Sequence, residues 1–501
     1  MTPHRPLRHG LGRRALLACA VVLAVAGCSV PAKLNRPPIR DDVPLAGLDT
    51  GHRAGWPDTA WWKQYNDPQL DQLIDLAMQD SPDLAEARSR VDSAQQSVRA
   101  ATAQSGLSVN GSAQVERQRL SETGLIPPKF LGFTWYNQGD IGVQAQYDFD
   151  FWGKKRNTIE GSVDQAHAAE AQHSAAALAI QTTIADTYFG WLADQSRVAL
   201  AKQSVQTAEQ MEQIATLRVK QGVDRPDTLQ SAKAQTAAAR QSLVAIESSA
   251  RIRQAALASL CGVSPAQLPT LQPRALPGVT TGLPDNVGVD LIARRPDIAA
   301  SLWQVEAALR QTDVARAQFF PDISLSAMAG LSTIDLDKMF SSGSRVFGLT
   351  PALHLPIFTG GLLEANYGIS KAQLDTAMAQ YNSAVLNAAR DVATQSLTAD
   401  QIEGRRKEQA REIAANQQLL ATAQSRVQRG VTDRRETLSA QAQLLQQQDN
   451  DVSLQAQALS TDISLIKALG GGYRASLPEQ ASSERPSSPL NLSGDAAHER
   501  H

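Results

Sequence analysis

The hydrophobic and polar positions of the chain follow two different periods, and the same succession of periods occurs twice. Apolar residues first recur at helical spacing, at Leu84, Ala87, Val91, Ala94 and Val98. The period then falls to two, and apolar residues alternate with polar ones around residues 107–116 and 139–151. The alternation returns at residues 323–331 and 347–357. Period-two alternation indicates strands with one apolar and one polar face, so the sequence predicts two β-hairpins, at about residues 107–151 and 321–358.

A long stretch without proline follows each predicted hairpin. Gly153 to Gly222 and Gly361 to Gly430 are both 69 residue steps, and at about 1.5 Å per residue each stretch would span about 100 Å as one helix. Return helices are predicted to begin near Pro226 and near Thr432. Ser81-Pro82-Asp83-Leu84 also recurs as Arg295-Pro296-Asp297-Ile298, and Phe151-Trp152-Gly153 as Phe358-Thr359-Gly360. We infer that one unit of two strands and long helices is duplicated.

These patterns divide the chain into six predicted parts. They are a leader at 1–27, an extended segment at 28–55, a first repeat at 56–260, a linker at 261–295, a second repeat at 296–473 and a Ser/Pro/Glu-rich tail at 474–501. The tail composition is typical of disorder. We expect the proline-rich linker, residues 56–80 and the chain near Gly470 to form a collar around the helices.

The first 28 residues predict export and a lipid anchor. Four arginines, Arg5, Arg8, Arg13 and Arg14, precede an apolar stretch at 15–26 that is short for a membrane span. The stretch ends in Val25-Ala26-Gly27-Cys28, which resembles a bacterial lipobox. This resemblance implies N-palmitoyl and S-diacylglycerol groups on Cys28, and Ser29 at the next position implies sorting to the outer membrane. The alternative is an ordinary signal peptide with an incidental cysteine.

The four predicted strands have the length and the alternation of outer-membrane barrel strands. The alternative is a pair of soluble hairpins with one face on a core. No later segment offers about 18 consecutive apolar residues, so no transmembrane helix is predicted. Membrane barrels begin at about eight strands, and lipid does not tolerate an open sheet edge. The sequence therefore predicts a barrel shared between two or three copies, with eight or twelve strands.

Composition and charge narrow the function classes. A formal net charge of -2 and a pI of about 6.5 predict no nucleic-acid partner. Cys261 is the one cysteine outside the N-terminal segment and is predicted to be a small core residue. The eight histidines are scattered, and no phosphate loop or cysteine pair occurs. The sequence therefore predicts a protein that is not an enzyme, with no catalytic residues, cofactor or metal site.

A set of motifs resembles the outer-membrane efflux lipoproteins of the NodT/OprM type, relatives of TolC. Besides Cys28, the set consists of Trp61-Trp62, Asp67-Pro68-Gln69-Leu70, Ser81-Pro82-Asp83-Leu84, Arg294-Arg295-Pro296-Asp297, Gly430-Val431 and Ala468-Leu469-Gly470-Gly471-Gly472-Tyr473. The resemblance covers about residues 56–473. It implies a mainly α fold with a small transmembrane β part: a homotrimer whose twelve-stranded β-barrel in the outer membrane continues as an α-helical barrel through the periplasm.

The same resemblance implies the function and the partners. The expected function is the exit duct of a tripartite efflux pump, a passive conduit for small molecules such as drugs. The expected partners are a periplasmic membrane-fusion adaptor protein, an inner-membrane RND-type pump reached through the adaptor, and outer-membrane lipid. One alternative is a type I secretion exit duct for proteins. Another is a periplasmic coiled-coil lipoprotein that transports nothing, which would leave the four alternating strands unexplained.

The turns between long and return helices are the predicted contact and gate sites. Their residues are Arg218, Gly222, Val223, Asp224 and Arg225 in the first turn, and Arg426, Gly430, Val431, Thr432, Asp433 and Arg434 in the second. One interpretation is helix capping, with Asp224, Thr432 or Asp433 as N-cap oxygens. The resemblance implies adaptor docking. A further hypothesis is that Asp224 or Asp433, with Arg225, Arg434 and Arg435, forms a constriction latched by salt bridges. Trp152 is expected in an aromatic belt or in packing at the strand-to-helix junction.

Overall fold

A computed structural model describes residues 30–34, 39–40, 43, 55–123, 127–279, 282–284 and 287–475. The predicted leader, the anchor cysteine Cys28 and all but two residues of the predicted tail lie outside the described residues.

The described helices form two matched sets. After a short 3₁₀ turn at Trp61–Tyr65, the first set is α1 (Pro68–Asp80), α2 (Pro82–Ser105), α3 (Lys154–Lys220) and α4 (Pro226–Leu260). The second set is α5 (Val287–Arg294), α6 (Pro296–Ala317), α7 (Leu362–Gln428) and α8 (Arg434–Ala468). Both α3 and α7 have 67 residues, and both α4 and α8 have 35. Each of these pairs begins and ends 208 positions apart in the sequence, which supports the duplication.

Four strands form one antiparallel sheet in the order β1-β2-β3-β4. They are β1 (Ser108–Arg119), β2 (Trp135–Phe149), β3 (Asp322–Thr333) and β4 (Arg345–His354). The register aligns Val109, Ala145, Ala327 and Leu349 across one face, and Ser108, Gln146, Ser326 and Thr350 across the other. Strands β1 and β4 are edges that pair on one side among the described residues. The sheet thus has an apolar face, a polar face and two open edges.

Two strand ends differ from the period-two pattern. Strand β4 ends at His354 rather than at Ile357, and Pro356, which has no N–H to donate to a ladder, follows within two residues. Strand β2 begins at Trp135, where the alternation is weak, because residues 135–138 pair with residues 116–119 of β1. Pairing with β1 therefore sets the start of β2, and Pro356 accounts for the end of β4.

The helices pack side by side around α3. Helices α2 and α6 contact α3 in the half nearer the sheet, and α4 and α8 contact it in the half nearer the turns. The second long helix, α7, contacts α6 and α8. None of the helices in the described part of the chain carries an apolar run long enough to span a lipid bilayer.

The large apolar side chains cluster where the short helices end, at mid-length of α3 and α7. One cluster joins the Trp61–Tyr65 turn and α1 to α3, α4 and α8, and includes Leu271 of the linker. The other joins α5 and α6 to α7 and the end of α8. Gly470, with a φ of +88°, lies so close to the backbone oxygen of Arg294 that a side chain there would collide with it. Residues 56–80, the linker and the chain near Gly470 therefore meet at one level.

The arginine of the Arg-Pro-Asp motif ties three helices together at this level. Arg295 is buried and forms ion pairs with Asp297 (2.7 Å) and with Asp391 of α7 (3.4 Å). Its guanidinium group also donates to the backbone oxygen of Ala468 at the end of α8 (3.3 Å). A carbonyl group at a helix C-terminus lacks an intrahelical partner, so this bond satisfies it. The motif thus has a structural role.

Candidate functional site

The two turns at the end remote from the sheet have the same backbone geometry. Gly222 and Gly430 have positive φ angles of 72° and 70°. The N–H of Val223 donates to the oxygen of Arg218 (2.9 Å), and the N–H of Val431 donates to the oxygen of Arg426 (3.0 Å). Such bonds satisfy helix C-terminal carbonyl groups, and the left-handed residue that closes them favours glycine. Both predicted turns therefore reverse a long helix in the same way, and Val223 and Val431 are exposed at their tips.

A cluster of four charged residues joins the two turns of one copy. Arg218 donates two hydrogen bonds to Asp224, at 2.8 and 2.9 Å. Arg435 lies 3.5 Å from Asp224 and 2.7 Å from Asp433. Arg218 also lies 3.9 Å from Asp433. Positive and negative groups thus alternate around a ring, which we call the tip ring: Arg218, Asp224, Arg435 and Asp433.

The tip ring keeps its carboxylates ionised. The hydrogen bonds from Arg218 lower the pKa of Asp224, with further lowering by the charge of Arg435. The hydrogen bond from the Arg435 side chain lowers the pKa of Asp433. Opposite charges that hydrogen-bond to a carboxylate favour its charged form. The attraction between the two turns therefore persists at neutral and mildly acidic pH.

The structure corrects two of the three capping interpretations and supports the third. Asp224 is not an N-cap, because its carboxylate binds arginines; the N-cap of α4 is Arg225, without a side-chain cap bond. Asp433 does cap α8, since its Oδ1 accepts the N–H of Arg435 at 2.9 Å. Thr432 is not the cap, and its side chain hydrogen-bonds to Glu436 and lowers the pKa of that carboxyl group. Pro226 at the first position of α4 has no N–H, so one of the donors that a helix N-terminus leaves unpaired is absent there.

Two arginines of the latch hypothesis lie outside the tip ring. Arg225 pairs with Asp227 at 3.2 Å, and Arg434 donates to Gln210 of α3 at 3.1 Å. Arg426, in the second turn, pairs with Glu436 at 3.0 Å. Arg218 takes part instead, although the latch hypothesis did not include it. Its spacing of six residues from Asp224 brings the two groups together only once the turn is formed.

At the other end, Trp152 fastens one hairpin to the other. Its ring stacks on Phe320 with centroids 4.5 Å apart, and its Nε1 donates to the backbone oxygen of Pro321 at 2.9 Å. The side chain is still 46% exposed. The packing interpretation therefore accounts for its contacts, and its exposed part lies just beyond the end of β2.

The fold and its two ends define a class of protein: a duplicated chain of long paired helices joined to a four-stranded sheet with two open edges. The chain matches the outer membrane efflux protein family over residues 73–263 and 287–471. It is 32% identical over 479 residues to the multidrug resistance outer membrane protein MdtP of Escherichia coli, over 92% of this chain and 97% of MdtP.

Two solved structures share the architecture. The outer membrane protein VceC from Vibrio cholerae is 33% identical, with a TM-score of 0.75 over 83% of this chain and 100% of that one. The CmeC outer membrane channel of Campylobacter jejuni aligns with a TM-score of 0.80 over 90% of this chain and 96% of that one, and at 21% identity it shows the fold alone.

The chain belongs to the outer membrane efflux protein family. It is an outer-membrane efflux channel whose helices extend into the periplasm. The predicted family, location and mainly helical fold with a small β part are thereby confirmed.

Proposed function

We propose that three copies of the chain assemble into the exit duct of a tripartite efflux pump. The open-edged sheet carries this proposal. Edge β1 differs from edge β4, so β4 of one copy can pair with β1 of the next until a ring closes. Three copies supply twelve strands, above the minimum of about eight for a membrane barrel. The resemblance to the NodT/OprM type favours three copies over two.

The native mass of the detergent-solubilised protein tests the assembly. Three times the mass of the mature chain is expected. A monomer or a dimer at micromolar concentration contradicts the proposal. Pro351→Ala in β4 is the control. It is expected to keep the trimer, because proline has no N–H and its replacement removes no donor from either neighbouring ladder.

We propose further that Cys28 carries the lipid anchor. The position of Pro31 supports this. Arg316, six residues before β3 begins, donates from Nε to the backbone oxygen of Pro31 at 2.8 Å. Pro31, three residues from Cys28 in the sequence, is thereby held near the base of the sheet. Mass spectrometry of the N-terminal peptide is expected to show diacylglycerol and an N-acyl chain on Cys28, and a free thiol there contradicts the anchor.

The partners that we propose are a periplasmic adaptor at the turns and, through it, an inner-membrane RND-type pump. The exposed Val223 and Val431 at the tips, beside the charged residues of both turns, offer an apolar contact with a polar rim. Photo-crosslinkers at positions 223 and 431 are expected to capture the adaptor in cells that express a complete pump. A photo-crosslinker at position 186, an exposed residue in the middle of α3, is the control and is expected not to capture the adaptor.

The proposed activity is passive conduction of small molecules, with no catalytic step. MdtP is named a multidrug resistance protein, which favours small molecules over secreted proteins as cargo. Among the described residues, no group of three or more His, Cys, Asp or Glu side chains is placed to hold a metal ion. Deleting the gene and restoring it on a plasmid tests the cargo class. Drug susceptibility is expected to rise on deletion, whereas a change confined to secreted proteins contradicts the proposed cargo.

A further inference from the structure

The apolar face of the sheet carries arginines at its outer end. Residues two positions apart on a strand share a face, so the face of Val109 and Leu349 also holds Arg117 and Arg119 of β1 and Arg345 of β4. Arg119 is the last residue of β1 and Arg345 is the first of β4, so both lie at strand ends remote from the helices. All three arginines are exposed. Because the helices extend into the periplasm, these ends face the cell exterior.

The polar face of the same strands is acidic at this end. Its charged residues there are Glu116 of β1 and Asp140 of β2. Asp140 accepts hydrogen bonds from the neutral side chains of Gln138 (3.1 Å) and Ser332 (2.6 Å). Glu116 and Arg117 are adjacent in the sequence and therefore project to opposite faces. The sheet thus separates the two signs of charge, with the basic groups on the apolar face.

Within the described part of the chain, two of the three arginines have no carboxylate partner. Arg119 pairs with Glu122 at 3.2 Å, and both side chains are more than half exposed. Arg117 lies over the ring of Trp135, 5.5 Å from the ring centroid, and makes no ion pair with a described residue. Arg345 likewise has no ion pair and no side-chain hydrogen bond there. Two exposed guanidinium groups are therefore available to an anion.

The inner end of the sheet differs in this respect. Lys154, at the start of α3, pairs with Asp322 at 3.3 Å, and Lys155 pairs with Asp148 at 3.6 Å. These lysines are already matched by carboxylates of the strands. Arginines without a carboxylate partner therefore distinguish the outer end of the sheet from these inner lysines.

Aromatic side chains place the arginines relative to the lipid. Trp135 and Tyr147 lie 12 positions apart on the apolar face of β2, and both are exposed. At about 3.3 Å per residue and a strand tilt of about 40°, they are separated by about 30 Å along the membrane normal. This distance matches the hydrocarbon core of a bilayer, whose borders aromatic girdles mark in membrane barrels. Trp135, with Arg117 over its ring, therefore lies at the level of the outer headgroups.

Closure of the barrel brings arginines of two copies together, a step that rests on the proposed function. Strands β1 and β4 are the open edges, so β4 with Arg345 adjoins the strand that carries Arg117 and Arg119 of the partner subunit. Adjoining strands are about 4.8 Å apart. Like charges on adjoining strands repel, and a phosphate group between them can accept hydrogen bonds from several guanidinium groups.

We propose that Arg117, Arg119 and Arg345, which we call the basic rim, bind the phosphate groups of lipopolysaccharide, the phosphorylated glycolipid of the outer leaflet. The acyl chains lie against the apolar face, whose exposed members include Val143 and Phe347. Arginines spread over two strands match a lipid with more than one phosphate group, and this favours lipopolysaccharide over a phospholipid with a single phosphate. A lipid bound across β4 and β1 also joins two copies, so it stabilises the trimer.

Titration of fluorescently labelled lipopolysaccharide with the purified trimer in detergent micelles, followed by anisotropy, tests the proposal. The Kd of Arg117→Gln/Arg345→Gln is expected to be about ten-fold above that of the wild type, because charge-assisted contacts are lost. The matched control, Lys220→Gln/Lys233→Gln, removes two exposed charges of the helices and is expected to bind like the wild type. Equal Kd values for the two double variants overturn the proposal.

The lipid can be varied instead of the protein, which requires no variant to fold. Dephosphorylated lipopolysaccharide is expected to bind the wild-type trimer about ten-fold more weakly than the intact lipid. Equal binding overturns the proposal, because the sugars or acyl chains would then account for it. Phosphatidylglycerol is expected to displace the labelled lipid only at about ten-fold higher concentration than unlabelled lipopolysaccharide. Equal displacement also overturns the proposal, because any anionic lipid would then suffice.

The native mass separates this proposal from the proposed assembly. A wild-type trimer that binds intact and dephosphorylated lipopolysaccharide equally well refutes the basic rim and leaves the exit duct standing. A monomeric wild-type protein refutes the assembly itself, because β4 then has no partner subunit to adjoin.

Discussion

Arg197 of α3 and Asp449 of α8 join the two repeats of one copy through two hydrogen bonds, from Nε at 2.8 Å and from Nη2 at 3.0 Å. The side chains are 31% and 24% exposed, so water screens the pair only partly. These two hydrogen bonds therefore join the repeats, and they form only when α3 and α8 are aligned along their axes. A charge pair of this geometry also fixes the register of the two helices.

Replacement of Arg197 by alanine is expected to destabilise the protein by about 1 to 2 kcal/mol, because a partly buried, two-bond ion pair is lost. The matched control is Lys202→Ala, which removes the pair of Lys202 with Glu247 (3.8 Å, 60% and 42% exposed). Exposed pairs contribute about 0 to 1 kcal/mol. The apparent melting temperatures of the purified proteins test whether Arg197→Ala destabilises the protein more than Lys202→Ala does. A larger effect from Lys202→Ala would show that this contact does not hold the repeats together.

The sequence alone predicted the strands and helices whose residue pattern lies within one continuous segment. Period-two alternation located all four strands, and the equal proline-free stretches predicted long helices that the structure shows as 67 residues each. The motif offsets predicted the duplication. These features depend on side-chain periodicity along one element, which a single sequence displays directly.

The arrangement of charges at the turns was not predictable in the same way. Asp224 looked like a helix cap, but the reversal of the chain at Gly222 brings it to Arg218 instead. Arg435 reaches Asp224 across 211 positions of sequence, and nothing in either turn alone indicates that contact. The missed features are those that need two distant segments to meet.

Gly470→Ala is expected to be far more harmful than Gly430→Ala, although both glycines have positive φ angles, +88° and +70°. A left-handed backbone costs a residue with a Cβ about 1 to 2 kcal/mol, which is the expected effect at Gly430, where the added carbon meets open space. At Gly470 it collides with the backbone oxygen of Arg294. The yield of folded trimer and its melting temperature measure the difference, and equal losses would contradict the close approach of the two segments.

Stability is expected to fall as the pH rises from about 4 to about 6, because of Asp164 in α3. Burial raises the pKa of Asp164 to about 6, against the lowering effect of Arg310. A carboxyl group with a higher pKa in the folded than in the unfolded state binds its proton more tightly when folded. The contribution of Asp164 to the free energy of unfolding is therefore complete below about pH 4 and lost above about pH 6. The free energy of unfolding falls by about 2 to 3 kcal/mol between these two pH values.

Asp164→Asn isolates this effect, because the amide mimics the protonated acid at every pH. The variant is expected to melt higher than the wild type at pH 7.5 and at about the same temperature at pH 4. Asp186→Asn, at an exposed position of the same helix, controls for the substitution itself. A lower melting temperature of Asp164→Asn at pH 7.5 would mean that the charged carboxylate stabilises α3 against α6.

Loss of the tip ring is expected to loosen the closed periplasmic end. Asp224→Ala/Asp433→Ala removes both carboxylates, so Arg218 and Arg435 repel each other and α8 loses its cap at Asp433. The turns of one copy then separate more easily, and single-channel conductance is expected to rise several-fold. Lys220→Ala, which removes an exposed charge next to the first turn and leaves the tip ring intact, is the control for the loss of a charge outside the ring. If the double variant conducts like Lys220→Ala, the ring does not contribute to closure. In that case the constriction depends on groups other than Asp224 and Asp433.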